Sequence, residues 1–107
     1  MISVNFYKQN DKVVKIECYG HAEYDDYGKD IICSAVSALV ITCANSIENF
    51  TDDLILSEIH EDQTTEILIK SGCSHDTDLL VKSLELGLRG IVNTYGKKFL
   101  KISMKEV

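Results

Sequence analysis

The chain has 107 residues, 45% of them hydrophobic and 26% charged, with a formal net charge of -6. That length supports one ordinary hydrophobic core and predicts a single domain over residues 1–107. The acidic balance and the scatter of Lys and Arg speak against a nucleic-acid module, which must neutralise phosphates with clustered cations.

No basic start followed by an apolar run marks a signal peptide, and Ile31 to Ala44, the most apolar stretch, is short for a bilayer span. The expectation is a cytoplasmic protein with no membrane partner. Cys18, Cys33, Cys43 and Cys73 are then expected as free thiols. Neither their spacing nor His21 and His75 complete a zinc pattern, so no metal and no cofactor is expected.

In chain order, Ile2 to Tyr7 and Val13 to Tyr19 alternate apolar and polar residues around Asn10-Asp11, which predicts a β-hairpin with Val14, Ile16 and Cys18 on one face. Gly20 to Lys29 has neither period and reads as a loop of unusual length. From Asp30 the pattern turns helical, with Ile32, Val36, Leu39, Cys43, Ile47 and Phe50 near one face and Asp30 as N-cap. Val40, Ile41 and Ala44 widen that face enough to suggest a second subunit.

Two more strands fit Leu54 to His60 and Glu66 to Lys70, a second helix fits Asp78 to Tyr95 with Gly96 as its stop, and a last strand fits Phe99 to Met104. The order ββαββα plus a terminal strand predicts an α+β two-layer sandwich, two helices on a mostly antiparallel sheet of four to five strands.

Among the thiols, Cys33 stands out. Three residues past the expected cap, it would feel the partial positive charge of a helix N-terminus, which favours the thiolate. His21 lies across the same loop, and imidazole, with a pKa of about 6.5, suits a base near neutral pH. Twelve positions separate the two, so only a folded-back loop would join them. The plainer alternative is a packed cysteine and a solvated histidine. Cys18 and Cys43 read as core, and Cys73 and His75 as turn residues with no helix N-terminus behind them.

The segment GHA followed by D-I-I-C-S-A-V-S, together with KSLELGLRGIVNTY further on, resembles the bacterial ribosomal-processing cysteine protease family called Prp. The resemblance implies a catalytic Cys33 and His21, with Gly20, Asp30 and Ser37 at the remaining motif positions. It implies that the substrate is a ribosomal protein precursor, large-subunit protein twenty-seven, whose N-terminal extension is cut after a pair of phenylalanines, and that the enzyme is a homodimer. Gly20 and Gly28 would bracket a mobile loop over the peptide. The competing reading is a non-catalytic dimeric ribosome-assembly factor that binds the same peptide. Asp25, Asp26, Ser34 and Gly96 depart from residues common in the family.

Overall fold

The structure, a computed structural model, describes residues 1–20 and 27–107, side chains of 27–30 excepted. The first hairpin pairs β1 (Ile2–Gln9) with β2 (Lys12–Tyr19) in antiparallel register. Asn10 and Asp11 both take positive φ, 52° and 66°, the geometry of a two-residue type I′ turn whose twist matches that of the strands.

The register slips by one residue after Tyr7, which pairs with Lys15 while Lys8 pairs with Val13. Val14 is the extra residue of this bulge, and the slip exchanges the faces of the strand. Val13 and Ile16 are therefore both in the core, and the expected face of Val14, Ile16 and Cys18 is corrected at its first member.

Helix α1 (Tyr27–Phe50) begins before the expected Asp30 cap. It buries Ile32, Val36, Val40, Cys43, Ala44 and Ile47, whereas Phe50 is left 76% exposed and Leu39 is turned toward α2. Its stretch Ile31–Phe50, 20 residues of mean hydropathy 1.7, is longer than the apolar run read from sequence and could span a bilayer by length and composition. Here it supplies, among the described residues, six of the nine buried hydrophobic residues that the two helices bring to the core. The Thr51 amide and hydroxyl both donate to the Ile47 carbonyl, at 3.2 and 2.8 Å, and close the last turn.

Strands β3 (Ile55–Ile59) and β4 (Thr65–Ile69) form the second hairpin. Helix α2 (His75–Tyr95) starts three residues before the expected Asp78 because Ser74 caps it: the Ser74 hydroxyl accepts from the Thr77 amide at 3.2 Å. Asp53 holds the cap from outside by accepting the Ser74 amide at 2.9 Å. The Asp53 carboxyl is held below its ordinary range, chiefly by its hydrogen bond with Thr77. Gly96, at φ 94°, ends the helix with its amide on the Val92 carbonyl.

Strand β5 (Leu100–Glu106) runs parallel to β1, from Ile2 opposite Leu100 to Lys8 opposite Glu106. The five-stranded sheet has the order β3-β4-β2-β1-β5, antiparallel except at β1 and β5. The α+β sandwich of two helices on a mostly antiparallel sheet is thus as expected.

One face of the sheet carries Ile2, Val4, Phe6, Ile16, Ile67, Ile69 and Leu100 into a single core with both helices. The other face is polar. There Glu17 accepts from Asn5 at 3.1 Å and from the Tyr7 hydroxyl at 3.0 Å, and the Lys15 ammonium lies 4.9 Å from the Tyr7 ring centre. These partners satisfy Asn5, which is buried.

Candidate active site

Strand β2 leaves the sheet at Gly20, where φ is 97° and a Cβ would collide with the Met1 carbonyl oxygen. Glycine is required there twice over, by conformation and by space. Its motif position therefore has a structural reason that needs no part in the chemistry.

The second contribution comes from α1. Because the chain is already helical at Tyr27, Cys33 lies no nearer the start of α1 than the second turn, and Asp30 lies inside the helix rather than at the cap. The field of a helix terminus fades within about one turn, so the expectation that it activates Cys33 is corrected. Gly28 likewise belongs to α1 and not to a loop. What places Cys33 is the helical stripe: its neighbours Ile32 and Val36 are buried, and the thiol, half-buried, sits at the margin of that stripe. Ser37, one turn on, is exposed.

The turn between β3 and β4 contributes the third part. The His60 amide donates to the Thr64 carbonyl and the Gln63 amide to the His60 carbonyl, both at 2.8 Å, and the Thr64 amide donates to Asp62 Oδ1 at 3.0 Å. Gln63 adopts a left-handed φ of 67° in this turn. Cys18 pairs with Thr65, which brings the turn beside the end of β2.

These three parts enclose a cavity of about 240 Å³ lined by Ile2, Cys18, Tyr19, Gly20, Cys33, Val36, Ser37, Gln63 and Thr65. Of the residues expected at the site, Cys33, Ser37 and Gly20 meet here. His21 lies outside the described residues, as does the side chain of Asp30.

Sequence reasoning missed Cys18, Tyr19, Gln63 and Thr65. Cys18 was readable in part, since it shares the core-side parity of Ile16 and stands two residues before the glycine exit. Gln63 and Thr65 left no signal, because their place depends on β4 choosing β2 as neighbour.

The remaining thiols are quieter. Burial pushes Cys43 up to about 11, and its thiol faces the Leu80 carbonyl at 3.8 Å. Cys73 does stand directly before the α2 cap, contrary to the sequence reading, yet burial first and the Asp78 charge second push its thiol up. Cys18 is pushed up to about 11, by burial first and by the charge of Cys33 second. His60 stands on the surface with Nε2 3.5 Å from Glu66.

A small cavity with a thiol at its edge and hydroxyl and carboxamide groups on its walls can hold an extended chain against that thiol. The comparisons agree with such chemistry. The family described as cysteine protease Prp matches residues 1–100. Among solved structures, the essential ribosomal processing protease Prp of Staphylococcus aureus with a covalently linked product peptide is 22% identical, with a TM-score of 0.86 over 98% of this chain and all of that one. The same protease with a substrate peptide superposes at 0.87 with 21% identity, over 98% of this chain and 100% of that one. The SMU.848 protein of Streptococcus mutans gives 0.86 at 22% identity, covering 100% of this chain and 99% of that one. No curated protein is similar enough in sequence to count as a match.

Proposed function

Because the chain belongs to the cysteine protease Prp family, we propose that Cys33 is its nucleophile, His21 its base, and an N-terminally extended ribosomal protein its substrate. The observation that carries the reading is the cavity in which Cys33, Ser37 and Gly20, three of the motif positions, come together. The substrate class rests on the similar Staphylococcus aureus protease, whose structures hold a substrate peptide and a covalently linked product peptide. The finer assignment is large-subunit protein twenty-seven, cut after a pair of phenylalanines, and it rests on the sequence resemblance.

In this mechanism the Cys33 thiolate adds to the scissile carbonyl carbon, and the carbonyl π electrons move onto oxygen. The C–N bond then breaks as the His21 imidazolium gives its proton to the departing amine, leaving a thioester on Cys33. Water, deprotonated by His21, attacks the thioester and releases the acid and the thiolate.

The oxyanion needs donors that the helix itself cannot spare. Backbone N–H groups beyond the first four of a helix are already bonded within it, and Cys33 lies past them. The donors offered by the cavity wall are the Ser37 and Thr65 hydroxyls and the side-chain carboxamide of Gln63. A second copy of the chain is the partner proposed for the outer side of α1, where Ile31 and Ile41 are 43% and 55% exposed.

The test is cleavage of a peptide spanning a phenylalanine pair by the parent, Cys33→Ala and His21→Ala. Loss of cleavage in both variants is expected, and full activity in Cys33→Ala overturns the assignment. A mere binder of the peptide would also show no preferential alkylation of Cys33 over Cys43 and Cys73.

A further inference from the structure

The second thiol in the cavity has no part in the mechanism above. Cys18 lies near the end of β2 in a row across the sheet with Thr65 on one side and Val4 on the other. Val4 is fully buried, so this row faces the helical layer, and Cys18 points toward the side from which α1 presents Cys33. Both thiols are half-buried, pack against the same core and line the same cavity.

We propose that Cys18 is a resolving cysteine for Cys33: a peroxide-class oxidant converts the pair into an intramolecular disulfide that blocks the cavity and that a thiol reductant reopens. The inference rests on the reading of Cys33 as nucleophile for its effect on activity, but not for the bond itself.

The chemistry balances in two steps. The Cys33 thiolate attacks the terminal oxygen of the peroxide, the O–O bond breaks, an alkoxide or hydroxide leaves and takes up a proton, and Cys33 becomes a sulfenic acid, oxidised by two electrons. Cys18 then attacks that sulfur, the S–S bond forms, and the hydroxyl group departs with the Cys18 proton as water. Two thiols and one peroxide give one disulfide, one water and one alcohol or second water.

The electrostatics give the pair an order of events. Burial and the neighbouring Cys33 charge together keep Cys18 protonated in the reduced protein. Once Cys33 is a neutral sulfenic acid, that neighbouring charge is gone, and attack by Cys18 becomes easier only after the first oxidation. The other thiols are engaged elsewhere, Cys43 on the Leu80 carbonyl and Cys73 on that of Ser74, at 3.8 and 3.6 Å. A bond from Cys18 to Cys33 would also close a ring of chain that contains His21, tying the base and the nucleophile into one inactive unit.

The test is peptide mapping of the full chain under non-reducing conditions after hydrogen peroxide, with and without later dithiothreitol. The expected product is a single-chain Cys18–Cys33 linked peptide that dithiothreitol removes, with return of Cys33 alkylation and of peptide cleavage. In Cys18→Ser and Cys18→Ala, Cys33 should instead be trapped by dimedone and pass on to sulfinic acid, and recovery by dithiothreitol should be lost.

Equal dimedone trapping of Cys33 in the parent and in both variants, with no linked peptide, overturns the proposal. So does a bond that joins Cys33 to Cys73 or to a second chain. Because the map reads masses and not cleavage, a linked peptide in a protein whose Cys33→Ala variant still cleaves would sink the protease assignment alone.

Discussion

Helix α1 carries two cysteines that differ in everything but chemistry. Cys43, in its last third, is buried between Val40 and Ile47, its thiol is set on a carbonyl of α2, and burial holds it protonated. Cys33, two turns from the start, lies at the margin of the same stripe and opens onto a cavity with polar groups opposite. The two positions are ten residues apart on one continuous helix. On the proposed reading, the difference in reactivity follows from which neighbours the sheet brings to a helical position, and not from the helix.

The sharpest way to break that contrast is on cleavage. Cys33→Ala should lower the rate by roughly three orders of magnitude or more, while Cys43→Ala should leave the rate per folded molecule near that of the parent, measured on the same peptide. Stability should show the reverse weighting. Ile47→Ala, in the fully buried part of the helix, should cost about 2–5 kcal/mol by denaturant unfolding. Cys33→Ala, at the margin, should cost far less.

At the cavity end, Gly20→Ala should cost roughly 1–3 kcal/mol through its positive φ alone, and more through the collision with Met1. A loss of cleavage in that variant beyond the loss of folded protein would show that the strand exit also positions the site. At the far end, Thr51→Ala removes a hydroxyl that accepts the Asp53 amide at 3.1 Å and donates to the Ile47 carbonyl, and should cost about 1 kcal/mol.

The effect that shows only in alkali is the last. Cys18 and Cys43 are both raised in the folded state, from 9.0 to about 11. The fold thus holds their protons more tightly than the unfolded chain does. That stabilisation is complete below pH 9 and is lost as pH rises toward 11. Unfolding curves across this window should flatten in Cys43→Ala, and an unchanged slope would count against the buried thiol.

The comparison also explains what the sequence could show. The periodicity from Ile32 to Ile47 made α1 and its buried thiol legible, and alternation located β1, β2 and β5. The start of α1 was misjudged because Gly20 to Lys29 carries no period, although the helix already runs from Tyr27. The start of α2 was misjudged because Asp78 looked like an acidic first turn when Ser74 was the cap.

The bulge at Val14 was hidden because both Val13 and Val14 are apolar, and only pairing decides which is buried. Cys33 and Ser37 could be placed at one site from their helical spacing. Cys18, Gln63 and Thr65 could not be joined to them, since that needs the lateral order of strands.

That order has one more consequence. In β3-β4-β2-β1-β5 the middle position belongs to β2, bonded to a neighbour on each side. Strands so held are among the last parts of a domain to open. The wall bearing Cys18 is therefore a fixed datum. Any change of distance across the cavity as a peptide enters or a thiol is oxidised is expected on its other two walls, α1 at Cys33 and the turn at Gln63.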